Sequence, residues 1–311
     1  MSELPEEKAR ELAEKIIREK GLENLELETG SEESSNNIFG TQDLFIKIEK
    51  YGGMRKMTYQ EPVILEEIEL KVKTPELKDY GHIDGYLYRI FEKARGEKLD
   101  TLSPGKTFYD LDRDEQKEKL RNMGENLAKI HESKAFHRFG TIHTMDGEIK
   151  GASRKGWSQG LRDIQEFWHG MLRDEDFDEE VDELEAFYSE KEELLDSRHD
   201  PRLIHQEMDF RNLLFQEEEI CVVDWEAAAA GDPLMDIILL ETIIFWLEDE
   251  QDEELRKTLR DGYRSIRPLQ IDKGLETVYR AVELSRLLYV FQNDDERVKR
   301  ILKELETALN S

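Results

Sequence analysis

Apolar residues recur at helical spacing from the start of the chain: Ala9, Leu12, Ala13, Ile16 and Ile17 stand between charged neighbours, with Gly21 as a stop, and predict an amphipathic helix. From Leu25 the period changes. A short extended segment runs to Gly30, the polar loop 31–37 follows, and Leu44, Ile46 and Ile48 then alternate with polar residues, a hairpin-rich pattern. Glu61, Ile64, Leu65 and Ile68, spaced i, i+3, i+4 and i+7, predict a second helix that tolerates Pro62 near its start. Thr74 and Pro75 turn the chain back toward strands, of which 86–91 is strongly apolar and aromatic, and Gly96 marks a turn beyond it.

After Ser103, Pro104 and Gly105 helical periodicity dominates. One helix centres on Leu120, Met123, Leu127 and Ile130, and 157–173, 178–195, 234–247, 275–290 and 298–309 predict others. The exception is 202–226, where Leu203 and Ile204, 213–215 and 220–223 are strand-like pieces flanking polar residues. Extended insertions of this kind in a rigid helical frame commonly carry function. The expected class is α+β, with a small N-terminal lobe over 1–93 and a larger, mainly helical lobe over 94–311.

Composition narrows the partners. With 73 acidic against 45 basic residues, the net charge of −28 repels nucleic acid and anionic membranes, so neither is an expected partner. The acidic residues are spread along the chain, as in Glu217, Glu218 and Glu219, and read as a solvated surface. The single cysteine, Cys221, lies in the apolar run 220–223 and is expected to be a buried packing residue, which suits a reducing cytoplasm. Residues 1–7 lack a basic segment leading into an apolar one, and nowhere do about 18 apolar residues run together, so neither export nor membrane spanning is expected.

The chemistry concentrates in two stretches, 205–212 and 222–226. Phosphoryl transfer needs a carboxylate near the attacking hydroxyl and oxygen ligands for a magnesium ion, and Glu207, Asn212 and Asp224 supply such groups. A hairpin between Asn212 and Asp224 would fold the two ligands back toward each other.

These stretches resemble the aminoglycoside phosphotransferase and choline kinase superfamily, relatives of the protein kinases. The family loop has His, Asp two residues on and Asn five residues later, matched here by His205, Glu207 and Asn212; its metal-binding Asp matches Asp224 before Trp225, and its Gly-Asp-Pro with a further Asp matches Gly231, Asp232, Pro233 and Asp236. The resemblance implies a two-lobed protein kinase-like fold, ATP and Mg2+ as cofactors, and a small hydroxylated molecule as phosphoryl acceptor. It further implies Lys47 on the ATP phosphates, Glu61 as its helix partner, Ser35 and Asn36 in the phosphate-covering loop, backbone groups of Glu92 and Ala94 at adenine, and Asn212 and Asp224 on the metal.

Two positions depart from the family pattern. Glu207 stands where Asp is the rule, and Asp209 where relatives often carry His or Lys, with Arg211 close enough to compensate. Either Glu207 or Asp209 is the candidate catalytic base, and loss of transfer chemistry with retention of nucleotide is the alternative to an active enzyme. His131, His137 and His143 are spaced too widely for a zinc site and read as surface or packing residues, His205 as a brace of the loop, and Trp157, Trp168 and Trp246 as core.

Overall fold

A computed structural model describes residues 6–22, 28–29, 37–40, 43–50, 60–99, 107–145, 148–216, 219–247 and 252–311. The chain opens with helix α1 (Glu6–Glu19), and its buried stripe of Ala9, Leu12, Ala13, Ile16 and Ile17 is the one expected from the sequence. That stripe rests on a fully antiparallel sheet of β1 (Glu28–Thr29), β2 (Asn37–Gly40), β3 (Leu44–Lys50), β4 (Leu77–Ile83) and β5 (Tyr86–Glu92), ordered β1-β2-β3-β5-β4. Side chains alternate across a strand. Ile46, Ile48, Tyr88 and Ile90 therefore meet α1, while Lys47 and Arg89, paired in register, point to the opposite face. Between β3 and β4 lies α2 (Gln60–Glu67), whose buried residues include Glu61 and Ile64.

The helical part begins with α3 (Arg113–Ser133), started by a capping box between Asp112 and Glu115. Three short strands follow, β6 (Gly140–Thr141), β7 (His143–Met145) and β8 (Glu148–Gly151), then α4 (Trp157–Asp174), α5 (Asp178–Glu190) and α6 (Glu192–Asp196). Strand β9 (Arg202–Ile204), the hairpin of β10 (Leu213–Gln216) and β11 (Glu219–Val222), and β12 (Ala229–Gly231) form the extended insertion. Helices α7 (Pro233–Leu247), α8 (Glu253–Arg264), α9 (Lys273–Val290) and α10 (Asp295–Leu309) complete the chain. Strand β12 pairs with both β9 and β6, which holds the two ends of the insertion side by side.

Several expectations change. The single helix over 178–195 is two, broken at Lys191, and α8 and the strands β6, β7, β8 and β12 were not anticipated. Helix α8 packs on α3 at two glycines: a Cβ at Gly124 would lie 2.1 Å from the Leu259 carbonyl, and one at Gly262 would lie 2.2 Å from that of Arg121. The chain after β5 is stitched to the hairpin by reciprocal bonds between Glu97 and Phe215, 2.8 and 2.9 Å. Cys221 is buried as expected, and burial pushes its thiol up to about 11. Among the described residues no helix is long and apolar enough to cross a membrane.

Candidate functional site

The site is built where the inner face of the sheet meets the hairpin. Lys47 is buried, and its ammonium lies 3.0 Å from Asp224 Oδ1 and in contact with the Glu226 carboxylate. Arg89, 0% exposed, pairs with Glu49 and Glu61 at 2.6 Å and with Glu226 at 3.0 Å. Four carboxylates thus surround two buried cations, with Asp224 alone about a third exposed, 34%. Burial works against charge on Lys47, but Asp224, Glu226 and Glu61 outweigh it and hold its pKa above the ordinary value. Burial pushes Glu49 up to about 7 and also raises Glu61, while Lys47 and Arg89 oppose it.

Glu61 differs from expectation in its partner. Its carboxylate takes Arg89 on one oxygen and the Trp225 backbone N–H, 3.1 Å, on the other, rather than forming a direct pair with Lys47. The neighbouring Gln60 donates to the Ala228 carbonyl, so the start of α2 is fastened to the segment that follows Asp224.

The loop after β9 hangs from one buried carboxylate. Asp236, on α7 and 2% exposed, accepts the His205 N–H at 2.7 Å and the Gln206 N–H at 2.9 Å, while its Oδ2 also meets His131 Nε2 at 3.2 Å. His131 is held in turn by the Tyr263 hydroxyl at 2.8 Å, so it is a packing residue, whereas His137 and His143 are exposed. His205 acts as the brace expected of it. Its Nε2 meets the Val223 carbonyl at 3.1 Å and its Nδ1 accepts the Glu207 N–H at 3.3 Å, which assigns the neutral Nε2–H tautomer. The ring of Trp225 stands edge-on to it, 4.8 Å between centroids.

Burial lowers the His205 pKa, against the raising influence of Asp236, Asp224 and the Val223 carbonyl. The unfolded chain takes up that proton near the ordinary value of about 6.5, the folded chain only below it. The stability that depends on neutral His205 is therefore full above pH 6.5 and is lost as pH falls. Relative to His205→Gln, whose side chain does not titrate, the parent protein should lose stability on acidification from pH 7 to pH 5, at up to about 1.4 kcal/mol per pH unit. Urea titrations of both proteins at several pH values check this; a constant difference between them would remove the neutral-imidazole brace.

Asn212 ends a single 3-10 turn, 210–212, and its Nδ2 donates to the Glu207 carbonyl at 2.8 Å, which turns its acceptor Oδ1 away from the loop. The Val223 N–H donates to the Asn212 carbonyl, 3.0 Å, so the hairpin closes Asn212 against the residue before Asp224. Asp224 adopts a left-handed φ of +64°, which directs its side chain back toward Lys47. Hard oxygen donors from an amide and a carboxylate fit a magnesium ion whose other ligands are water and phosphate. Among the described residues no three of His, Cys, Asp and Glu converge into a self-sufficient metal site.

Glu207 borders a cavity of about 50 Å³ that is also lined by Gln206, Glu226, Ile164, Phe167 and Trp168. Trp168 is partly buried beside the loop, packed on Phe167 and Tyr289, while Trp157 is fully buried with its Nε1 donating to Tyr279. Only the backbone of Trp246 is described. Asp209 caps the 3-10 turn through the Arg211 N–H, 2.8 Å, and both its oxygens face the Arg211 guanidinium at 2.5 to 3.1 Å, an arrangement that engages both oxygens within the turn. The Glu92 N–H donates to the Glu76 carbonyl and its carboxylate meets Lys78 at 2.9 Å; Ala94 lies in the connection just beyond β5. Ser35 and Asn36 fall outside the described residues.

Sequence reasoning missed Arg89, Glu283 and Arg286, and gave no role to Glu226 although it lies within the stretch 222–226. Glu283 faces the loop from α9, and burial, reinforced by Asp209 and Glu207 against Arg286 and Arg211, pushes its carboxyl up to about 8.

Residues 63–269 match the model of the phosphotransferase enzyme family. None of the curated protein sequences matches the chain. Among solved structures, the chain is similar to amicoumacin kinase hAmiN in complex with AMP-PNP, Ca2+ and Ami, at 14% identity and a TM-score of 0.64 over 99% of this chain and 96% of that one. It is also similar to a putative fructosamine-3-kinase from Haemophilus somnus 129PT, with 15% identity and a TM-score of 0.63 over 95% and 96%. A third is a thermostable mutant of aminoglycoside phosphotransferase APH(4)-Ia, with 17% identity and a TM-score of 0.61 over 95% and 97%.

Proposed function

The chain belongs to the phosphotransferase enzyme family, and from that premise we propose that it transfers a phosphoryl group from ATP to a hydroxyl of a small molecule. The observation that carries this reading is the contact of Lys47 with Asp224 inside a carboxylate-rich junction, with Asn212 tied through its carbonyl to Val223, the residue before Asp224. Two similar solved structures, which hold ADP with hygromycin B and AMP-PNP with Ca2+, lend support at the level of the fold.

In this reading Lys47 binds the nucleotide phosphates, and Asn212 Oδ1 and the Asp224 carboxylate hold Mg2+, which when bound neutralises phosphate charge. Glu207 orients the acceptor hydroxyl and takes its proton. Glu207 borders the cavity beside Trp168, while its amide is held by His205 and its carbonyl by Asn212. Asp209 positions the turn that presents Asn212. The lobes divide at 93/94, with the connection around Glu92 and Ala94 on the adenine side.

Calorimetry with Mg-ATP and a transfer screen over amino sugars, choline-like alcohols, sugars and amino-acid alcohols test the proposal. Glu207→Gln should bind Mg-ATP within about threefold of the parent and lose about 10²- to 10⁴-fold in kcat. Unchanged turnover would take the base role from Glu207. The second reading, nucleotide binding without transfer, is favoured by Glu207 standing for the shorter Asp; it predicts Mg-ATP binding with no acceptor phosphorylated.

A further inference from the structure

We propose that Arg286, on α9 and far from every sequence motif, is a positioning residue that clamps the Gln206–Glu207 peptide and so aims the Glu207 carboxylate. The kinetic half of this proposal rests on the phosphotransferase reading; the structural half does not.

Gln206 has a left-handed φ of +70°, a conformation that side-chain-bearing residues hold only when their surroundings enforce it. All four of its polar groups are engaged. Its N–H donates to Asp236 at 2.9 Å and its Nε2 to the Ala227 carbonyl, while Arg286 Nη1 and Nη2 donate to its backbone carbonyl at 2.9 Å and its Oε1 at 2.8 Å. Gln206 is 6% exposed and Arg286 4%.

The geometry of that fork matters because the Gln206 carbonyl and the Glu207 N–H belong to one peptide plane. Arg286 holds the oxygen end of the plane and His205 Nδ1 accepts from the N–H end, so the plane cannot rotate without breaking a buried hydrogen bond. The Cα of Glu207 leaves from this plane. A glutamate has one more rotor than an aspartate, so the direction of its carboxylate depends more heavily on a fixed backbone. The same guanidinium lies over the Trp168 ring, 5.5 Å to the centroid, and Trp168 and Glu207 both line the cavity. Arg286 therefore joins α9, α4 and the loop at the wall where an acceptor would sit.

Glu283 lies 4.0 Å from Arg286 Nη1, which raises the competing possibility that Arg286 serves only as its counter-charge. Lysine separates the two roles, because an ammonium preserves the charge but cannot reproduce two parallel donors.

The test compares the full-length parent, Arg286→Lys and Arg286→Met by Mg-ATP calorimetry, steady-state kinetics and hydrogen exchange of the backbone over 203–213. Both variants should keep the Mg-ATP Kd within about threefold, because Lys47, Asn212 and Asp224 are untouched. The kcat should fall on the order of a hundredfold with acceptor KM changed less than about threefold. Exchange at 206–209 should accelerate about tenfold or more in both. A lysine variant with kcat within about threefold of the parent, or unaltered loop exchange in either variant, overturns the proposal. Should Arg286→Met not fold, the lysine variant, which retains the buried charge, decides by the same criteria. If the parent phosphorylates neither an acceptor nor water, the phosphotransferase reading is what fails, and loop exchange alone then decides whether Arg286 is the clamp.

Discussion

Asp236→Ala should cost about 3–5 kcal/mol of folding stability, among the largest losses any single substitution in this chain would cause. The carboxylate is 2% exposed and receives two backbone N–H groups of the loop and the ring of His131. Alanine leaves those donors buried with no acceptor from the protein. The loss is a large share of the roughly 5–15 kcal/mol that stabilises an ordinary domain. Asp236→Asn should lie between parent and alanine, since its amide keeps one acceptor but sets an NH2 against a second N–H donor. Urea titrations should show a lower midpoint with an unchanged slope. A loss of under about 1 kcal/mol for the alanine variant would mean that the loop is held by something other than Asp236.

The motif around Asp236 was legible in the sequence, but its work was not. Gly231, Asp232, Pro233 and Asp236 stood out as a unit, and the structure divides their tasks. Asp232 binds Arg198 and the Tyr279 hydroxyl, and Asp236 suspends the loop. Periodicity found α1, α3, α4, α9 and α10 because each carries an apolar stripe that local spacing records, and α7 stood out as a run that is apolar on every side. It passed over α8, where Leu255, Leu259 and Tyr263 do recur at helical spacing among charged residues. The break at Lys191 carries neither Gly nor Pro, so no local signal marked it.

The candidate site follows the same division. His205, Glu207, Asn212 and Asp224 lie within one insertion and were visible as a spaced set. Arg89 was not, because an arginine in an aromatic strand normally reads as an outward-facing position, and only the burial of both sheet faces brings it to Glu61. That neighbour took the glutamate the sequence assigned to Lys47. Glu226 lay within the stretch 222–226 but carried no assigned role, and its contacts with Lys47 and Arg89 come from the fold; Arg286 reaches the loop from α9 through tertiary packing alone.

On the proposed phosphotransferase reading, Asp224→Asn should lower the kcat of magnesium-dependent transfer on the order of 10²- to 10³-fold while leaving the folded protein intact. Asparagine tolerates the left-handed φ of +64° at this position, so backbone strain is not a confounding cause. Lys47 keeps Glu226 as a buried partner, and the junction then holds three carboxylates rather than four around Lys47 and Arg89. Because Asp224 is about a third exposed, 34%, and Lys47 retains Glu226, the nucleotide-free variant should melt close to the parent. The parent should gain thermal stability when Mg2+ and ATP are added together, because a ligand bound only by the folded state stabilises it by mass action. The variant should show little of that gain, which separates loss of a ligand from loss of the fold. Initial rates and melting curves, each with and without Mg2+, read both effects. Turnover within about threefold of the parent, or an undiminished magnesium-dependent rise in Tm, would exclude Asp224 from the metal site and with it the role given to its contact with Lys47.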